Sequence, residues 1–151
     1  GLLYYYKYNY SDNEIDIGEK INQHLNWNPD LAKPYIVSAD DELVKLLETD
    51  MITGITATAT GFYGPQGRKI TLDLANQKMH DQVRSYNYHG LRMSNFEKET
   101  SAIYGVGKLL GHRCCTWCAI IANRVTGRYS KDYHVAIKDL IQLVLNRLAS
   151  Q

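Results

Sequence analysis

The chain reads as an α/β sandwich around a twisted, mixed central sheet, and three observations carry that reading. Short runs rich in Ile, Val, Thr or Cys alternate with segments whose apolar residues recur at helical spacing. The 151 residues, 44% hydrophobic and 22% charged, are enough for one core. No repeat, low-complexity tract or linker marks a boundary, so one domain, or part of one, is expected.

Taken in order, Leu2 to Tyr10 alternates as a strand, with Tyr4, Tyr6, Tyr8 and Tyr10 on one face. A half-buried strand is the commoner role for such a run, although tyrosines interleaved with Lys7 also suit stacking on bases. Residues 11–26 are helical through Ile15, Ile17, Ile21 and Leu25, and Ser11 with Glu14 matches a capping box. Pro29 lies just past the end. Tyr35-Ile36-Val37 is a short strand, and Asp40 caps a helix carrying Leu43, Val44, Leu46 and Leu47. Met51 to Thr60 is a strand.

Three glycines and a proline then fall within Gly61 to Arg68, which makes a loop that does not match a dinucleotide or P-loop fingerprint. Lys69 to Leu72 reads as a short strand, and 78–86 as a helix. A β-type run from Leu91 stops near Ser94-Asn95-Phe96-Glu97-Lys98-Glu99-Thr100, where a helix running to Leu110 begins, with Gly111 as its C′ residue. On spacing alone, Glu97 and Glu99 complement the helix dipole more often than they bind a ligand. Residues 112–122 form a buried strand, and Ser130 opens a last amphipathic helix through Leu148.

The formal net charge is +1 with dispersed basic residues, which argues against a nucleic-acid partner. No apolar run is long enough to span a bilayer and no leader-like pattern opens the chain, so a soluble cytoplasmic protein with no membrane partner is expected. Cys114, Cys115 and Cys118 lie in one strand-like run with no second pair elsewhere. They read as small buried hydrophobes, and neither a metal site nor a disulfide framework is expected. His24, His80, His89 and His134 read as exposed and uncommitted.

Three polar clusters sit at element ends: Gln66 with Arg68, Glu97 with Glu99, and Asn123 with Arg124. The loop GFYGPQGR, the segment NFEKETSAIYGVGKLLGH and the strand end AIIANR, in that order, resemble the C-terminal half of the uridine phosphorylase-like nucleoside phosphorylases. The resemblance covers essentially the whole chain. It implies the phosphorylase/hydrolase-like α/β sandwich, here incomplete: residues 1–151 would be the C-terminal portion of a single domain whose N-terminal, phosphate-binding portion is absent. It further implies assembly as homo-oligomers, either dimers or a trimer of dimers.

By that resemblance Gln66 and Arg68 meet the pyrimidine, Phe62 stacks beside base or sugar, and Glu99, with Glu97 and Lys98 adjoining, meets the ribose. Ile121 and Ala122 line the base pocket, and Arg124 lies behind Gln66 and Arg68. Arg68, Glu99 and Arg124 would carry catalysis, with phosphate as co-substrate and no cofactor. A uracil edge presents an N–H between two carbonyls, which one amide and one guanidinium satisfy, and a ribose diol suits one ionised carboxylate.

Purine-cleaving relatives place an Asp where this chain has Asn123-Arg124, so uridine is favoured over purine nucleosides. Two departures stand out. Lys98 replaces the Met usual between the glutamates, where it would pair with Glu97 or Glu99 and compete with ribose, so Lys98→Met is expected to tighten nucleoside binding. The phosphate-binding loops of the family do not precede Gly1, so the 151-residue chain alone is expected to lack phosphorolytic activity. A hydrolytic nucleosidase of the same fold and a non-catalytic nucleoside-binding or interaction module are the alternatives.

Overall fold

The computed structural model of the protein describes residues 2–123 and 125–150, and for Leu2 its backbone only. Helices form where their ends are encoded locally. In α1 (Asp12–His24) the Ser11 hydroxyl accepts from the Glu14 N–H at 3.3 Å, and the Ser11 N–H donates to the Glu14 carboxylate at 2.9 Å, which is the expected capping box. The Asp40 side chain caps α2 (Asp41–Leu47) by accepting from the Leu43 N–H at 3.1 Å. The helix α3 (Met79–Ser85) follows the glycine-rich loop, and α4 (Thr100–Leu109) follows the acidic junction. The last helix, α5 (Tyr133–Ala149), is capped by Asp132, not by Ser130, through the N–H groups of His134 and Val135.

The strands are fewer than the patterning implies. β1 (Ile55–Thr58) runs parallel to β3 (Leu91–Glu97), and β2 (Asn87–Tyr88) runs antiparallel to it, giving a mixed sheet in the order β1-β3-β2. A separate ladder joins β4 (Ala122–Asn123) to β5 (Arg128–Tyr129). The core lies between α1, α3 and this sheet: Ile17, Ile21, Leu25, Val83 and Tyr86 are buried, with Ile55, Met93 and Phe96 packed against them.

Four predicted strands take other forms. Leu2–Tyr5 is a 3-10 turn closed by the Tyr6 N–H on the Leu3 carbonyl, and buried Leu3 lies against α4, where a Cβ at Gly105 would collide with it. Tyr4 meets Tyr35 edge-on and Tyr10 meets it tilted, instead of forming a sheet face. Residues 35–37 belong to no ladder. Neither do residues 69–72, where Ile70 and Leu72 are 65% and 82% exposed. Residues 112–121 also belong to no ladder and are half-buried or exposed rather than buried. Single bonds hold them: the Cys114 carbonyl accepts from the Asp40 N–H at 2.8 Å, and the Thr116 N–H donates to the Tyr104 hydroxyl at 2.6 Å.

Candidate nucleoside site

The parallel pairing of β1 with β3 brings two of the three polar clusters to one edge. Thr58 lies opposite Glu97, and the Ala59 N–H continues the pairing by donating to the Glu97 carbonyl at 2.8 Å. The chain leaving β1 becomes the Gly61–Arg68 loop, while the chain leaving β3 becomes the start of α4. Carboxyl ends of parallel strands are where α/β sheets hold ligands, because the strands fix the loops that leave them.

The loop is shaped by its own backbone. The Tyr63 carbonyl accepts from the N–H groups of Gln66 and Arg68, both at 3.0 Å, and the Gly64 carbonyl accepts from Gly67 at 2.9 Å. Gly67 has φ +68°, the left-handed conformation that favours glycine. The turn buries Gln66 to 4% exposure and lays the Arg68 guanidinium carbon 4.5 Å from the Phe62 ring centroid and 5.0 Å from that of Tyr63. One guanidinium nitrogen, Nη1, is buried with no hydrogen-bond partner among the described residues. A buried donor without an acceptor is costly, and a ligand carbonyl would satisfy it.

At the acidic junction the two glutamates differ. Glu97 Oε2 accepts from the N–H groups of Glu99 and Thr100, both at 2.6 Å, and Oε1 accepts from the Thr58 hydroxyl at 2.6 Å. Thr58 Oγ1 accepts in turn from the Ser101 N–H at 3.0 Å, so this cluster ties the end of β1 to the first turn of α4. Burial acts to raise the Glu97 pKa, but these hydrogen bonds outweigh it and the net direction is down. Glu97 thus caps the helix. Glu99 sits at the N-cap position with no capping bond from its side chain; its exposed carboxylate accepts from the Lys98 N–H at 3.1 Å.

Lys98 forms no ion pair with either glutamate among the described residues. Its Nζ instead lies 5.8 Å from the Phe62 centroid, so Phe62, Arg68 and Lys98 are drawn together. Of the third cluster, Arg124 lies outside the described residues. The Asn123 side chain accepts from the N–H groups of Val125 and Thr126, both at 3.0 Å, and so forms the turn between β4 and β5. Ile121 is 47% exposed, and Ala122 is half-buried opposite Tyr129. Cys118 interacts with Asn95 and Glu97, which brings the segment leading to Ile121 alongside β3, and burial pushes the thiols of Cys115 and Cys118 up.

Sequence reasoning missed two contributors, and no spacing rule signals either one. Tyr63 is the second ring on Arg68. His80, read as uncommitted, bonds through Nε2 to the Gly67 carbonyl at 2.8 Å. His24 is likewise engaged, with the Gln82 carbonyl and the Ser85 hydroxyl. An open cleft of about 710 Å³ lies elsewhere, beside Tyr8, Ser38 and Lys108. Of the two carboxylates in its wall, Glu14 and Asp41, Glu14 already serves Ser11, Ser38, Tyr8 and Lys108. No group of three or more potential metal ligands occurs among the described residues, and no helix there is long and apolar enough to cross a membrane.

Comparison with known proteins agrees with the resemblance read from the motifs. No family model matches the chain. It is 33% identical over 81 residues to a uridine phosphorylase of Thermococcus kodakarensis, a match spanning 52% of this chain and 27% of that protein. A solved nucleoside phosphorylase of Trypanosoma brucei, described as showing uridine phosphorylase activity, superposes with a TM-score of 0.81 at 24% identity. That match covers 99% of this chain and 54% of the other, so the chain spans about half the length of the solved structure it resembles. The fold is that of the nucleoside phosphorylases.

Proposed function

We propose that the protein carrying this chain is a nucleoside phosphorylase of the uridine phosphorylase type, converting uridine and phosphate to uracil and ribose 1-phosphate. The observation that carries the reading is the buried Nη1 of Arg68, without a partner among the described residues, backed by Phe62 and Tyr63 and next but one to the buried Gln66. A uracil carbonyl supplies the missing acceptor, and the Gln66 amide then accepts from the ring N–H and donates to the other carbonyl. The uridine phosphorylase named among the relatives supports the same substrate.

As phosphate attacks the anomeric carbon, the bond to the base nitrogen breaks, the sugar gains oxocarbenium character and negative charge spreads onto the uracil carbonyls. Arg68 stabilises the departing base, and the family resemblance assigns Arg124 a share in that role. Glu99, whose carboxylate is not committed to capping, accepts from the ribose hydroxyls. Glu97 orients this carboxylate by fixing the backbone at residues 99 and 100. Ile121 and Ala122 complete the apolar wall. No covalent intermediate and no cofactor are required. The same reading places the enzyme in cytoplasmic pyrimidine salvage, as a dimer or trimer of dimers.

The test is uridine cleavage by the complete natural protein, with and without phosphate. Uracil release that requires phosphate is the expected result. Equal release without phosphate identifies a nucleosidase, and binding of uridine without cleavage identifies a non-catalytic nucleoside module.

A further inference from the structure

The hydrogen bonds inside the Gly61–Arg68 loop fix its shape but not its direction. What ties it to the body of the protein through the base-reading residues is an imidazole. His80 lies in the first turn of α3, a helix rooted in the core by buried Val83 and Tyr86. Its Nε2 lies 2.8 Å from the Gly67 carbonyl, between Gln66 and Arg68. A carbonyl only accepts, so Nε2 is the donor, a role open both to the neutral ring protonated there and to the imidazolium. The ring stands edge-on to Phe96 of β3, with centroids 6.5 Å apart, so it is held between the loop and the strand that leads to the acidic junction. A Cβ at Gly67 would lie 2.7 Å from His80 Nε2, which shows how closely the ring approaches the loop backbone.

We propose that His80 is the positioning residue of the base-reading loop, setting the direction in which Gln66 and Arg68 face the ligand and so governing affinity for the base but not for the sugar. The identity of that base rests on the phosphorylase reading; the hold on the loop does not. His80 touches neither the proposed substrate nor the reacting atoms. It acts through the Gly67 peptide.

The experiment compares His80→Met, which keeps bulk but has no donor, with His80→Gln, whose amide N–H reaches the same carbonyl, in the complete protein. Two readouts are taken: hydrogen exchange of the amides of residues 66–68, and titration with uracil and with ribose 1-phosphate. Loss of one hydrogen bond predicts about fivefold faster exchange and about fivefold weaker uracil binding in His80→Met, with ribose 1-phosphate binding unchanged. His80→Gln is expected to recover most of both losses. Exchange unchanged in His80→Met, equal weakening of both ligands, or no recovery by Gln would overturn the proposal. Faster exchange in His80→Met, recovered in His80→Gln, in a protein with no affinity for uracil upholds the hold on the loop and removes the phosphorylase reading instead.

Discussion

Arg68 is the residue in which an unmet donor and the proposed chemistry coincide: two rings lie against its guanidinium while one nitrogen has no acceptor among the described residues. A donor aimed at developing charge typically contributes on the order of a hundredfold in rate, so Arg68→Ala is expected to lower turnover of uridine by about that factor. Unchanged turnover in steady-state kinetics would count against the role. Lys98 reads differently from the structure than from the motif. Competition with ribose for Glu97 or Glu99 has no support in its position, since its ammonium faces Phe62. An exposed cation over a ring contributes about 0.5–1 kcal/mol, so Lys98→Met is expected to shift nucleoside affinity by less than about fivefold when measured by calorimetry. A tenfold tightening would restore the competition. Residue types at the site were legible because three motifs resemble a family, whereas their partners were not. The engagement of His80 with Gly67 and of Thr58 with Glu97 depends on which segments meet across the fold.

Elements were legible where their signals are local. The Ser11–Glu14 box and the Asp40 cap formed as their spacing indicates, because a cap is completed within four residues. Strands were less so. Residues 35–37, 69–72 and 112–121 have β-type composition, but a strand needs a ladder partner, and composition does not supply one. At the start of α4 Glu97 caps the helix through two backbone N–H groups, whereas Glu99, at the N-cap position, makes no capping bond with its side chain. Glu97→Ala removes a cap and the acceptor of the Thr58 hydroxyl, so it is expected to destabilise the protein by about 1–2 kcal/mol in denaturant titration. Glu99→Ala is expected to leave stability within about 0.5 kcal/mol while weakening ribose binding.

At the scale of the whole molecule, Glu14 and Glu97 link stability to acid. Glu14, 3% exposed, suffers an upward push from burial, but the Ser38 and Ser11 N–H groups and Lys108 outweigh it and hold its pKa below the usual range, as the capping bonds do for Glu97. A lowered folded value means that the stabilisation is complete above the unfolded carboxyl value of about 4.3 and is lost as pH falls through the folded values. The melting temperature is therefore expected to drop below about pH 4.3. Glu14→Gln should melt lower than the parent at pH 7, with the gap narrowing toward pH 3; a constant gap would show that ionisation of Glu14 contributes nothing. The fold class was legible from alternation of helical and β-type segments, but the convergence of the loop and the acidic junction required the β1–β3 register.

The central claim is that this convergence reads a uracil edge. Its most direct measurement is equilibrium binding of uracil to the complete protein and to its Gln66→Leu variant, which removes the amide but keeps the bulk. The account predicts that the parent binds uracil and that the variant binds at least about tenfold more weakly, as the ring N–H and a carbonyl lose their partners. A parent with no affinity for uracil, or a Gln66→Leu variant that binds it equally well, would contradict it.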